Sequence, residues 1–369
     1  MRIKKKKILP VFVFIYLFVL LLCVNKSEIK EKKTRFLYKE LENEKTILEY
    51  ERKKFEIEKE EYKFKLEKDK DQEKVDVVYT WGGVIKDMNI RNRYNFELQY
   101  SLRSVNKYLP WINKIYILIN SDTDYPYWLK SQEEQSKVIL VNRCKLFDDP
   151  NNCPTYNSFA VFSVIHKVAN LTNKFLLIDD DVFFNQPLNR DYFFSKHGRI
   201  KFYHGNIRMK IYEEDDFVGY NIPVYKYQDY SHLPKPMRRD FIQAFHKMYP
   251  GYDGLVQSHK MRYKELSEEM SMIYYDFFDQ NGNISKSDYS EAKFFQIPHE
   301  HPDDIQEEFI FYYKELTTRN IKVFNCNDDF STNTEIYNKQ RYVLFTFYNK
   351  LYPEVPHFEL EHPNHEKIR

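Results

Sequence analysis

Five short apolar runs limit what this chain can fold into: VDVVYTW (Val75 to Trp81), KIYILIN (Lys114 to Asn120), KVILVN (Lys137 to Asn142), KFLLIDDDVFF (Lys174 to Phe184) and IKFYHG (Ile200 to Gly205). They do not alternate apolar with polar residues, as a sheet with one wet face would require. Continuous runs of this length suit strands covered on both faces. Helical patterns at Glu97 to Tyr108 and Ser158 to Val168 separate some of them, so an α/β sheet is expected. From Pro234 to Tyr275 the pattern turns mainly helical. A polar loop follows, then a helix near Ile305 to Glu315, a short strand IKVFN and a closing helix over about Tyr337 to Leu351. There is no internal repeat.

The segment ahead of these runs has a different character. Lys4 to Lys7 precede an apolar run from Ile8 to Val24, which as a helix would span roughly 25 Å, enough for a thin bilayer. The lysines favour the cytosolic side, which puts everything after Val24 in a lumen. A cleaved signal peptide is the alternative, although the flank LLLCVNKSE lacks a small-x-small site. From Glu28 to Lys74 the chain is rich in Glu and Lys without Gly or Pro, as a long charged helix would be. Leu41, Leu48, Phe55 and Tyr62 recur every seven residues. That register admits a homodimeric coiled coil, while the charged companion positions favour a solitary solvated helix. The expected organisation is a cytosolic tail at 1–7, a transmembrane anchor at 8–24, a helical stalk at 25–74 and a catalytic domain at 75–369. Cys144 and Cys153 bracket a short loop and either pair in an oxidising compartment or stay as thiols. Sequons at Asn170 and Asn283 are compatible with a lumenal address. With 57 Lys and Arg against 55 Asp and Glu, no basic field argues for a nucleic-acid partner.

The strongest chemical signal is Asp179-Asp180-Asp181 at the end of FLLI. Three adjacent carboxylates are costly to bury unpaired, so they need a cation or solvent. Hard oxygens at the C-terminal end of a strand suit Mg²⁺ or Mn²⁺ bridging a pyrophosphate, with Asp180 and Asp181 as candidate ligands. A solvated acidic turn is the alternative.

The triplet has company. DVVYTW, ELQYSLRSVNKYLPWINKIYILIN, PTYNSFAVFSVIHKV, FLLIDDDVFF, SHLP, SHKMRYKE, NCND and VPHFEL occur in that order. Together they resemble the Stealth family, which includes the N-acetylglucosamine-1-phosphotransferase of the Golgi and bacterial capsule hexose-1-phosphate transferases. The similarity runs from about Val75 to Leu360. It implies a Rossmann-like domain that binds a nucleotide sugar and has a helical C-terminal half. The implied reaction moves a sugar 1-phosphate onto a glycan or glycoprotein hydroxyl, with release of UMP, at a Golgi or other secretory-pathway membrane. It also implies His232, Arg262 and Asp181 as catalytic residues and Asp76, Glu97, Ser101, Arg103, Asn327 and Asp328 as substrate-binding ones. The chemistry agrees: an imidazole can take the proton of an attacking hydroxyl, and a guanidinium can hold phosphate charge.

The chain departs from the family at several positions. Phe162 stands where an acidic residue is usual, GGVIK (Gly82 to Lys86) replaces a polar loop, and Tyr94 and Gln99 replace an Asp and an Arg. These changes point to altered donor specificity or to a non-catalytic glycan-binding homologue, and the acidic motif taken alone would also suit a metal-dependent glycosyltransferase that releases UDP. Asp279 to Asp288 resembles part of an EF-hand loop, but Phe277 occupies the first ligand position, so a polar surface loop is expected there.

Overall fold

The protein is described by a computed structural model. It covers residues 74–83, 94–155, 157–204, 209–210, 227–228, 233–248, 251–260, 284–288, 291–297, 302–327 and 330–361. The expected anchor, and the stalk up to residue 73, lie outside them. Among the described residues no helix is long and apolar enough to cross a membrane.

The elements in chain order are β1 (Val75–Thr80), α1 (Glu97–Tyr108), β2 (Ile115–Ile119), β3 (Val138–Asn142), α2 (Ser158–Val164), β4 (Lys174–Asp179), β5 (Val182–Phe184), β6 (Ile200–His204), β7 (Met209–Lys210), β8 (Tyr227–Gln228) and β9 (Lys235–Arg238). They continue with α3 (Arg239–Met248), α4 (Tyr252–Ser258), β10 (Ile284–Asp288), β11 (Ala292–Gln296), α5 (Pro302–Thr318), β12 (Val323–Asn327) and α6 (Thr334–Leu351). The main sheet has the order β3-β2-β1-β4-β9. Its first four strands are parallel and β9 is antiparallel to β4. The chain moves outward from β1 through β2 to β3 and then returns to place β4 on the other side of β1. This is the order of a doubly wound, Rossmann-type half, with its switch point between β1 and β4.

The run Lys174 to Phe184 is not one strand. It divides into β4 in the main sheet and β5 in a second sheet of order β11-β12-β5, because the chain cannot carry three carboxylates through a buried ladder. The expectation of a helical C-terminal half also needs correction, since β9 to β12 all lie there. β9 contains Pro236, which a strand tolerates at the sheet edge that β9 forms. Ile284–Asp288, expected as loop, pairs in parallel with β6. That long-range pairing overrides its polar composition.

Helix α1 is buried from Leu98 to Val105. It packs on β5 and faces α6 through aromatic rings, with Tyr100 at 5.6 Å from Tyr348 and Phe183 at 4.6 Å from the same ring. Its start has no side-chain cap, and Phe96 there has a positive φ of 67°. Arg341 holds this turn by stacking 4.6 Å over the Phe96 ring while its Nε donates to the Tyr94 carbonyl at 3.0 Å.

A charged residue inside so buried a helix needs a partner. Arg103 donates through Nε to Glu359 Oε2 at 2.8 Å and through Nη2 to Glu359 Oε1 at 2.5 Å, and its Nη1 donates to the Tyr352 carbonyl at 3.0 Å. Gln99 Nε2 also donates to Glu359, and the Tyr94 hydroxyl donates to Gln99 at 2.8 Å. The two residues that depart from the family pattern are therefore joined in one buried network. Replacing one partner of such a pair strands the other. Arg103→Met should cost about 3–5 kcal/mol of stability in urea unfolding, and adding Glu359→Leu should recover part of it.

Candidate active site

The C-terminal ends of β1 and β4 meet at the switch point, where open α/β sheets bind their ligands. Thr80 and Asp179 are paired in register there, and Thr80 Oγ1 donates to Asp179 Oδ1 at 3.3 Å. Lys235, at the start of β9, places Nζ 2.8 Å from Asp179 Oδ2. Lys235 had no signal in the sequence. It reaches this edge because antiparallel pairing aligns it with Leu177, two residues before Asp179.

Asp181 lies between the two sheets. Its backbone carbonyl accepts from Cys326 N at 3.0 Å and from Asn325 Nδ2 at 3.3 Å, and its Oδ1 is sealed from solvent. Burial first, then the neighbouring Asp179 charge, push its carboxyl up to about 7, against opposing contributions from Asn325 and Lys235. A carboxyl so displaced at a switch point marks a functional-site candidate.

The loops beside this edge are tightly fitted. Gly83 has a φ of +79°, and a Cβ there would lie 2.1 Å from Asp124 Oδ2, so glycine is required on both counts. Asn120 Nδ2 donates to the Gly82 carbonyl at 2.7 Å, and the buried Arg143 donates to the carbonyls of Trp81 at 3.2 Å and Thr155 at 3.1 Å. Cys144 and Cys153 form a disulfide next to Arg143.

The expected site residues divide into three groups. Asp179 to Asp181 are at the edge, and Asn327 ends β12 nearby, with its Nδ2 donating to Gln296 at 2.9 Å. Asp76 is not at this edge. It is fully buried near the start of β1, roughly 13 Å along the strand from Thr80, and it accepts from Asn113 Nδ2, Lys114 N and Thr172 N at 2.8, 3.0 and 2.8 Å. Arg103 and Ser101 are buried in α1 with their polar groups engaged inside the protein. Glu97 opens that helix, half-buried. His232, Arg262 and Asp328 lie outside the described residues. Phe162 is only 5% exposed, in α2, so a carboxylate at that position would be buried.

A divalent cation fits these donors in one way. Among the described residues no group of three or more His, Cys, Asp or Glu could hold a metal ion by itself. Mg²⁺ seldom uses such a cage, taking one or two carboxylates and completing its shell with water and substrate phosphates. Asn325 lies beside Asp181, 1% exposed, with its Nδ2 on the Asp181 carbonyl and its Oδ1 buried with no hydrogen-bond partner. Chemistry fixes that orientation, because the Asp181 carbonyl facing Nδ2 can only accept.

The comparisons bear on this region. Residues 91–202, from just before α1 into β6, match the family model described as Stealth protein CR2, conserved region 2. This stretch is similar to the Stealth family. Among similar proteins, an exopolysaccharide phosphotransferase of Streptomyces coelicolor is 31% identical over 180 residues, 44% of this chain and 18% of that protein. The exopolysaccharide phosphotransferase CpsY of Mycobacterium tuberculosis is 40% identical over 123 residues, 33% of this chain and 22% of that one. The capsular polysaccharide phosphotransferase LcbA of Neisseria meningitidis is 33% identical over 146 residues, 34% of this chain and 39% of its own length. The chain thus spans less than two fifths of each of these relatives. A solved structure of the galactosyltransferase LgtC aligns with 76% of this chain and 97% of its own at 13% identity, with a TM-score of 0.39.

The displaced carboxyl gives a stability prediction. Because Asp181 titrates higher in the folded than in the unfolded chain, its contribution is fully present below about pH 4 and lost as pH rises through about 7. In EDTA, Asp181→Asn should therefore melt higher than the wild type at pH 8, and the gain should vanish at pH 4. Adding Mn²⁺ at pH 8 should raise the melting temperature of the wild type and leave that of the variant unchanged.

Proposed function

We propose that this protein transfers a sugar 1-phosphate, N-acetylglucosamine 1-phosphate or another hexose 1-phosphate, from a nucleotide sugar to a glycan hydroxyl, releasing UMP. One observation carries the reading: the acidic turn sits at the switch point, inside the stretch shared with relatives named as polysaccharide phosphotransferases. Asp180 and Asp181, with Asn325 beside them, would hold Mg²⁺ or Mn²⁺, which would neutralise charge on the donor diphosphate. Lys235 adds a fixed ammonium at the same edge. His232 takes the proton of the acceptor hydroxyl as its oxygen bonds to the phosphorus attached to the sugar. The bond from that phosphorus to UMP breaks, and Arg262 shares the charge that develops. Anchoring at a secretory-pathway membrane, with the domain lumenal, completes the proposal.

A second reading draws support from Phe162. Its burial in α2 leaves no carboxylate where the family places one, which favours a non-catalytic glycan-binding homologue.

Nucleotide sugars incubated with the full-length protein and Mg²⁺ or Mn²⁺ should yield UMP. Release of UDP would instead establish glycosyl transfer, and donor binding without turnover would establish the non-catalytic homologue. Asp181→Asn should abolish metal-dependent release.

His232→Ala should lower turnover by about a hundredfold to ten-thousandfold, with partial recovery at higher pH if hydroxide substitutes. Arg262→Lys should also lose turnover, since an ammonium keeps the charge without the planar fork. Unchanged rates in both His232→Ala and Arg262→Ala would remove these two residues from the mechanism.

A further inference from the structure

We propose that Ser101 is a positioning residue for the acidic turn, acting through a directed hydrogen-bond chain that begins at Tyr79 and without touching the donor. The inference rests on reading that turn as the cation and phosphate site.

The chain has one direction. Ser101 Oγ contacts the Val182 carbonyl and lies 2.8 Å from the Tyr79 hydroxyl. A carbonyl only accepts, and a serine hydroxyl has one proton. Ser101 must therefore donate to Val182, and Tyr79 must donate to Ser101. Both residues are fully buried. Burial pushes the Tyr79 phenol above its ordinary range, which keeps its proton available to donate.

These bonds bracket Val182, the first residue of β5, on its two flanking peptides. On one side Ser101 holds the Val182 carbonyl. One turn later Ser104 Oγ donates to the Ser101 carbonyl at 2.7 Å and accepts from Phe184 N at 3.1 Å, so α1 grips both ends of β5. On the other side Cys326 N of β12 holds the Asp181 carbonyl at 3.0 Å. The carbonyls of Asp181 and Val182 are thus fixed by different elements, so the backbone that follows the Asp181 Cα has little freedom to turn and the Asp181 carboxylate keeps its direction. Tyr79 extends the restraint to β1, where it pairs in register with Ile178. Ser101 thereby supplies to the first turn after β4 the rigidity that outer hydrogen bonds give to metal ligands, whose loss typically weakens metal affinity or activity by about 10–100-fold.

The test compares Ser101→Ala, Ser101→Thr and Tyr79→Phe in the full-length protein. It reads Mn²⁺ affinity by electron paramagnetic resonance, amide hydrogen exchange over residues 179–184, and kcat and KM for the nucleotide sugar. Ser101→Ala should bind Mn²⁺ about 10–100-fold more weakly, exchange faster across the turn, and lose kcat with little change in KM. Ser101→Thr, which restores a hydroxyl, should recover much of each. Tyr79→Phe should move all three in the same direction by less, because Ser101 still donates to Val182, and it carries the comparison if Ser101→Ala does not fold. Wild-type exchange and Mn²⁺ affinity in Ser101→Ala would overturn the proposal. A raised KM with unchanged Mn²⁺ affinity would overturn it too, making Ser101 a donor contact. If the wild type binds no Mn²⁺, the cation reading fails, and the exchange rates with the kcat and KM split decide the role of Ser101 alone.

Discussion

A buried strand must end where its side chains become charged, and that constraint shapes this protein more than any single contact. β4 runs through the main sheet with no exposure from Phe175 to Leu176 and none at Ile178, then meets three carboxylates. The chain leaves the sheet there and regains apolar residues only at Val182, where it joins β12 in a second sheet. Sheet division and site are one event. The same three residues that break the ladder also become the only cluster of carboxylates at the switch point among the described residues, with Lys235, Thr80 and Asn325 gathered around them.

Much of the frame was legible because it rests on local pattern. The apolar runs marked β1 to β3 within a residue or so at either end, the run that opens β4 marked its start but not its end, and Glu97 to Tyr108 is the helix that its apolar spacing indicates. The elements that escaped have weak local signals and strong distant partners. β9 carries a proline, and β10 reads ISKSD, so neither announces a strand until its neighbour is known. The site shows the same division. Asp181 was visible as a charged residue after an apolar run, whereas Lys235 and Asn325 act through pairings across 56 and 144 positions of sequence. Arg103 and Ser101 were visible as polar residues in a helix, but only their burial shows that they serve the protein's interior.

Asp76 illustrates how one residue type serves two ends of a strand. At the far end of β1 a carboxylate finds three donors already fixed by the backbone and a neighbouring amide, so its charge is consumed in joining the loops before β2 and β4. At the near end Asp179 accepts from the Lys235 ammonium and from the Thr80 hydroxyl, beside two further carboxylates. The first carboxylate is held by donors on two loops, and the second group gathers three carboxylates at the edge where open α/β sheets bind ligands.

The pairing of Arg103 with Glu359 also bears on how the chain is made. Helix α1 holds its charge within the interior only when a residue 256 positions later is in place. At common synthesis rates that interval is roughly ten to fifty seconds. During it the nascent chain can form the early strands, yet α1 has no counter-charge with which to enter the core. The sheet therefore cannot close over its own helix vectorially, and the final docking waits for the segment around Phe358, which hydrogen-bonds beside Trp128 through Lys130 N and Leu360 N. A ribosome stalled before that segment would present α1 in an unburied form, available to chaperones and proteases.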